Sequence, residues 1–294
     1  MIYITGMKYF KKYLPYILLF LLLLLGFWLL YITYLPQNQY LKVIFLDVGQ
    51  GDSIYIEAPN GKQMLIDGGN GDNILPNLIK VMPPFDRSID VVVVTNPDLD
   101  HIGGLVKVLD AYDVDIIFEP GTTPDTLIYQ NLENEIENKK IDRKIAKRGI
   151  DIILDEKENI YFDILFPDRD VSTWETNDGS IVGKLIYNDI SFMLMGDATK
   201  YTENLILWNE KEETLRSDVL KLGHHGSHTS SSVLWLEKVK PQIAIISAGK
   251  NNHYGHPHED ILQNLKFLSI PYLTTYEEGN IIFKTDGKEL VISK

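Results

Sequence analysis

Residues 90–104 read DVVVVTNPDLDHIGG, and this stretch decides the fold. The valines Val91 to Val94 read as a buried strand, and the chain beyond His101 reads as a helix near 103–111. Between them Asp98, Asp100 and His101 crowd into a turn where they can converge on a cation, and the Gly103-Gly104 pair lets the helix start close by. An Asp-rich helix cap accounts for Asp98 or Asp100, but not for both together with His101.

The surrounding sequence repeats the style. Runs at 41–48, 53–58 and 63–67, with an Asn60-Gly61 turn, fit three antiparallel strands. A helix near 74–81 precedes the valine strand, and a strand at 114–118 follows the next helix. The stretch from 121 to 150 is weakly patterned apart from a polar helix near 126–139, and reads as a solvated insertion. Strands are expected near 160–166, 181–187, 190–195 and 242–247, with another ending at Leu222. Helices are expected near 199–209, 231–239 and 258–268, and three strands close the chain. Two β-then-α halves suggest two facing sheets with helices outside.

All seven histidines (101, 224, 225, 228, 253, 256 and 258) lie in three segments that each follow an expected strand, where reactive groups concentrate. A lone histidine is commonly structural, but three clusters in one domain weaken that reading. Lys221 to His228 place two adjacent imidazoles on a Gly-flanked loop, and Gly196-Asp197 ends a strand with a carboxylate that can bridge two metals. The absence of cysteine removes disulfides, thiol nucleophiles and Cys-ligated metal centres, so any metal must sit on His, Asp and Glu. The net charge of −13 leaves no basic footprint for gripping a polyanion.

Several ordered motifs together resemble the metallo-β-lactamase superfamily, in the branch found as the soluble domain of ComEC-type DNA-uptake proteins. They are FLDVGQGDS (45–53), LIDGG (65–69), TNPDLDHIGG (95–104), LMGDA (194–198), LKLGHHGSHTSS (220–231) and SAGKNNHYGHPH (247–258). The resemblance covers nearly all of 41–294. It implies a four-layer αββα sandwich with a metal site at the edge between the sheets, holding one or two divalent ions. Its His-x-His-x-Asp-His motif falls on Asn96, Asp98, Asp100 and His101, with Asn96 departing from the common histidine. Asp197 matches the bridging carboxylate, His225 the last ligand, and His224 a neighbour that contacts substrate.

No histidine lies between 101 and 224 to supply a further ligand, although Asn177 and Ser180 occupy the region of the branch's polar motif. Asp100, His101, Asp197 and His225 therefore make one good position, and Asn96, Asp98 and the shared Asp197 a weaker second. Such a carboxylate-rich set suits manganese or zinc, with preference moved toward the harder ion. Asp52 and Asp67 are expected behind the ligands, where a carboxylate orients a histidine. His256 and His258 are expected to assist His224 in handling phosphoryl charge or the leaving group, and Ser227 and Asn252 to contact substrate.

Ahead of this domain, Tyr16 to Leu35 read YILLFLLLLLGFWLLYITYL, twenty residues without a charge, enough to span about 30 Å. Trp28, Tyr31 and Tyr34 near one end, and Tyr13 and Tyr16 near the other, suit the headgroup zones, and Pro36 stops the helix. The run exceeds the roughly 7–15 apolar residues of a cleaved signal peptide, and no small-x-small site follows it. The expected organisation is thus a basic N-terminus and anchor over 1–40 and a hydrolase domain over 41–294. Lys8, Lys11 and Lys12 precede the helix, so the N-terminus is expected in the cytoplasm and the domain outside the cell membrane, anchored by a single pass. Three of the 28 basic side chains and none of the 41 acidic ones precede residue 41, so the domain carries 25 against 41, a net −16.

The function expected from these readings is metal-dependent hydrolysis of a phosphodiester, single-stranded DNA among the candidates, by activated water. Hydrolysis of another extracytoplasmic phosphoester and a metal-free anchored scaffold are the competing expectations. A single span cannot form the many-helix channel of full ComEC proteins, so a separate channel protein is the expected partner for any transport.

Overall fold

A computed structural model describes residues 4–34 and 39–293, which divide into two units, Met1–Gln39 and Tyr40–Lys294. The first unit holds one helix, α1 (Ile4–Tyr34), whose 12–30 stretch, with mean hydropathy 2.4, is long and apolar enough to cross a membrane. The helix starts well before the expected Tyr16, taking in Lys8, Lys11 and Lys12. Its expected end at Leu35 and Pro36, and the link residues Gln37 and Asn38, lie outside the described residues.

The second unit opens with β1 (Leu41–Phe45), β2 (Ile54–Glu57), β3 (Gln63–Ile66), α2 (Ile74–Val81) and β4 (Ser88–Val93). It continues through α3 (Leu99–Ile102), α4 (Leu105–Ala111), β5 (Asp113–Glu119), α5 (Leu127–Lys139) and β6 (Asp142–Ile145). The next stretch holds β7 (Asp151–Asp155), β8 (Ile160–Phe166), β9 (Val182–Tyr187), β10 (Ile190–Leu194), α6 (Lys200–Asn209) and α7 (Glu212–Leu215). There follow β11 (Val219–Lys221), α8 (Val233–Val239), β12 (Ile243–Ile246), α9 (Glu259–Phe267), β13 (Tyr272–Thr274), α10 (Thr275–Glu278), β14 (Ile281–Thr285) and β15 (Leu290–Ser293). One sheet of eight strands has the order β15-β14-β1-β2-β3-β4-β5-β6, and one of seven the order β13-β12-β11-β10-β9-β8-β7.

Three apolar clusters define the layering. One joins the inner faces of both sheets, where Phe283 of β14 meets Phe45 at 5.9 Å and Phe192 of the other sheet at 5.7 Å, both edge to face. A second packs the outer face of the seven-stranded sheet under the helices that carry Ile206, Trp235 and Ile261. A third packs the eight-stranded sheet under those that carry Leu78, Val108 and Leu132. Three interfaces make four layers, the αββα sandwich. In each sheet the strands that feed the site run parallel, β3-β4-β5 in one and β10-β11-β12 in the other, so their carboxyl ends come to one edge.

Three sequence expectations change. The helix near 103–111 starts at Leu105 and is preceded by a separate short one, with Gly103-Gly104 between them; a Cβ at Gly104 would stand 2.2 Å from the Gly68 carbonyl, so only glycine fits that junction. The supposed insertion contributes the edge strand β6, all four of whose residues are exposed, so no apolar alternation marks it. The terminal strands part company: β13 pairs with β12, while β14 crosses to lie beside β1.

Candidate metal centre

Four strand ends deliver the site. Beyond β3, Asp67 sits in the left-handed region (φ 59°), and its amide donates to the Val93 carbonyl at 2.9 Å. Its carboxylate accepts the Thr95 N–H at 2.7 Å and the Thr95 hydroxyl, and stands 2.8 Å from His101 Nδ1. A carboxylate on that nitrogen holds the hydrogen there and leaves Nε2 as the ligating atom. His225 is held in the same way, with Nδ1 2.9 Å from the Ser247 carbonyl beyond β12. It lies in a tight turn, Gly223–Gly226, where His224 and His225 are both left-handed (φ 46° and 54°), a conformation costing about 1–2 kcal/mol per residue. That strain turns both rings toward the cleft.

The forward atoms converge. His101 Nε2 lies 3.1 Å from Asp197 Oδ2, and His225 Nε2 lies 3.1 Å from Asp100 Oδ2 and 3.4 Å from Asp197 Oδ1. His101 Nε2, His225 Nε2 and Asp197 Oδ1 are buried and make no hydrogen bond. Buried polar atoms left in this state are rare, and three aimed at one point fit a cation. Asp100, His101 and His225 form one such group of donor atoms. Asp52 forms others with Asp67 and His101, and with Asp197 and His225, but the buried Lys221 ammonium already bonds its carboxylate. Asp52 therefore supports His225 from behind, 3.2 Å from Nδ1.

The electrostatics agree with this geometry. Burial alone would depress the imidazoles, but Asp197 and Asp67 hold His101 well above its ordinary pKa, and Asp197 and Asp52 lift His225 to about 10. Burial opposes ionisation of Asp100, yet His225 and His101 bring it down to about 2, and the same imidazoles keep Asp197 well below the carboxylate range. Clustered carboxylates thus demand positive charge, which protons supply in the absence of a metal. A divalent cation held by Asp100, His101, Asp197 and His225 would supply Lewis-acid activation of water there.

The open face is a cleft of about 200 Å³ lined by Gln50, Asp98, Asp100, Asn177, Asp197, His224, His225, Tyr254 and His256. A larger hollow of about 560 Å³ beside Glu212 and Ile270 has no histidine in its lining, so volume does not locate the chemistry. Asp98 accepts the Thr176 hydroxyl at 2.9 Å, and burial raises its pKa. Burial first, then neighbouring imidazoles, pushes His256 down to about 4. Burial also lowers His224, whose Nε2 is 3.9 Å from Asp197. Burial thus disfavours the imidazolium form of both rings, which line the cleft.

Four expected site residues lie elsewhere. The Asn96 amide donates to Asn177 at 2.6 Å and its carbonyl accepts the Asp98 N–H at 2.9 Å, so both ends are engaged away from the donor cluster. Ser227 is buried, its hydroxyl accepting from Thr229 within its own turn. Asn252 spends its side chain on Gly249, Tyr254 and His256, bracing the last loop. His258, the residue before α9, makes no cap bond with its side chain; its Nδ1 accepts the His228 N–H at 3.0 Å and its ring packs edge to face on the cleft residue His256, 4.9 Å away. Conversely, Gln50 and Tyr254 line the cleft without having been singled out. Gln50 stands inside the GQGD motif, whose signal was read for its aspartate alone.

Residues 46–250 match the metallo-beta-lactamase superfamily. The chain is 29% identical over 267 residues to ComE operon protein 3 of Bacillus subtilis, covering 83% of this chain and 33% of that protein. It is 32% identical over 232 residues to recombination protein 2 of Haemophilus influenzae, covering 76% and 26%. The chain thus spans about a third of the length of these relatives or less. Among solved structures, the metallo-beta-lactamase fold protein YhfI of Bacillus subtilis superposes with a TM-score of 0.56 at 10% identity, over 83% of this chain and all of that one.

Proposed function

This chain belongs to the metallo-beta-lactamase superfamily, and from that premise we propose that it is a membrane-anchored, metal-dependent phosphodiesterase acting on a nucleic-acid strand, single-stranded DNA foremost, outside the cytoplasmic membrane. The observation that carries the reading is the convergence of the unpartnered His101, His225 and Asp197 atoms with Asp100 at the floor of one cleft. Asp98, which lines the same cleft, would give with Asp197 a second, weaker position. Two carboxylates beside two imidazoles suit manganese or zinc, and the added Asp98 carboxylate moves preference toward the harder ion. His224 and His256 orient the phosphoryl group, and Asn177 closes the far side. The names of the competence and recombination relatives support a DNA substrate, and passage of a strand across the membrane then calls for a separate channel protein.

The direct test is hydrolysis of bis-p-nitrophenyl phosphate by the full chain in detergent, with manganese or zinc added in turn, beside Asp197→Ala. Turnover that requires metal and vanishes in the variant is expected; a wild-type protein that binds no metal and stays inert overturns the reading in favour of a scaffold. The net charge of −16 beyond residue 40 favours a second reading, a small extracytoplasmic phosphoester. Turnover of small diesters without any cleavage of DNA would decide for it.

A further inference from the structure

Tyr254 stands at the mouth of the metal cleft, 65% exposed, in a loop that has no need of its ring for burial. Its backbone is pinned because the Asn252 side-chain oxygen Oδ1 accepts the amides of Tyr254 and His256, at 3.1 and 3.0 Å. Its ring lies 5.6 Å from that of His256 at an interplanar angle of 19°, a parallel stack that fixes the plane from behind. A rigid, exposed aromatic face beside a hydrolytic centre is a platform of the kind on which planar rings dock.

The charge of the cleft says what kind of grip is required. No lysine or arginine lines it, three aspartates do, and the chain beyond residue 40 carries a net −16. Contacts to the phosphate backbone, which ordinarily dominate affinity for nucleic acid, are therefore weak here beyond the reacting phosphate itself. Stacking is insensitive to the sign of the surface and accepts any base. A paired base is enclosed by its neighbours, whereas an unpaired one presents a whole face.

We propose that Tyr254, backed by His256, is the stacking platform for an unpaired nucleobase adjoining the scissile phosphodiester, and so selects single strands over duplex and over diesters without a base. The proposal rests on the phosphodiesterase reading above. The ring makes no contribution to the hydrolytic step beyond placing the ester.

The experiment compares thymidine 5′-(p-nitrophenyl phosphate) with methyl p-nitrophenyl phosphate, which share a leaving group, using the full chain in detergent with manganese. Tyr254→Ala is expected to lower kcat/KM for the nucleoside ester on the order of tenfold, mainly through KM, since a stacked base contributes roughly 5- to 150-fold. The methyl ester is expected to lose much less, so that the ratio of the two esters falls, and Tyr254→Phe and Tyr254→Trp to retain the preference. An unchanged ratio of the two esters in Tyr254→Ala overturns the platform while leaving the phosphodiesterase intact.

A second readout does not depend on turnover. Binding of a fluorescein-labelled phosphorothioate oligothymidylate is compared with that of an abasic oligomer of equal charge. Base-dependent binding lost in Tyr254→Ala upholds the platform even if both esters prove inert, in which case only the phosphodiesterase reading fails. Equal binding of the two oligomers overturns the platform.

Discussion

Asp67 and His101, 34 positions apart, meet at 2.8 Å with neither side chain exposed to solvent, and the pair sets which imidazole nitrogen faces the cleft. Burial raises the Asp67 pKa against the pull of His101, so the carboxylate is held under tension by its environment.

Asp67→Asn is expected to weaken manganese binding about 10- to 100-fold, the usual cost of losing a partner behind a ligand histidine. Competition against a fluorescent chelator measures it. Equal affinity in the variant and wild type would show that His101 needs no orienting carboxylate.

Metal loading at pH 7 is expected to release about two protons, from His101 and His225, because both imidazoles are held protonated by their carboxylates in the metal-free protein. Calorimetric titration in buffers of different ionisation enthalpy counts them. A release near zero would contradict the charge balance described for the centre.

The same shifts give stability a sign. His225 titrates near 10 when folded and about 6.5 when unfolded, so its contribution to the metal-free protein is complete below about 6.5 and is lost as pH rises through 10. Asp100, at about 2 when folded, contributes above about 4, and that contribution is lost as pH falls through 2. Metal-free protein is therefore expected to melt at lower temperature as pH rises from 6.5 to 9.5, while manganese-loaded protein holds or gains, since neutral imidazole is the ligand. A metal-free Tm that climbs with pH over this range would refute the assignment.

Lys221 is fully buried, with its ammonium bonded to Asp52 and to the Gly196 carbonyl at 2.9 Å. Lys221→Met removes the ammonium from the buried Asp52, leaving His225 as its nearest charged partner, and is expected to cost about 3 kcal/mol, read from the denaturation midpoint. Adding Asp52→Asn should recover part of that loss; no recovery would mean that the pair is not the source.

A Cβ at Gly51 would lie 2.0 Å from the Asp100 carbonyl oxygen, and Gly51 has φ 123°. The neighbouring Asp52 amide donates to that same carbonyl at 3.1 Å. Gly51→Ala is therefore expected to push the Asp100 loop aside and reduce manganese stoichiometry before it abolishes folding. Full metal occupancy at wild-type affinity would show the loop to be free to yield.

Much of this arrangement was readable along the chain. The helix at 74–81 and the strand at 160–166 follow from apolar patterning, and the polar helix expected near 126–139 forms at 127–139, where the Thr126 hydroxyl accepts the Tyr129 amide. The ligand-bearing loops announced themselves because Asp, His and Gly concentrate there. Strand β6 escaped because an exposed edge carries no apolar signature. Asn96 was placed by the motif that the resemblance lays over it, and Ser227, Asn252 and His258 by their positions in the two His-rich loops; their side chains bond within or between those loops instead.

What the sequence by itself determined is the layered α/β architecture, the apolar N-terminal helix and the chemistry on offer: carboxylates and imidazoles at strand ends, with no thiol. Each of these is written in composition and in patterns a few residues long. The tertiary structure decided which atoms meet. His101, Asp197 and His225 converge only because parallel strands from two sheets end at one edge of the sandwich. It also decided that Asn96 turns to Asn177 and that Tyr254 stacks on His256. Side-chain direction depends on backbone conformation and on partners far away along the chain, and local periodicity carries neither.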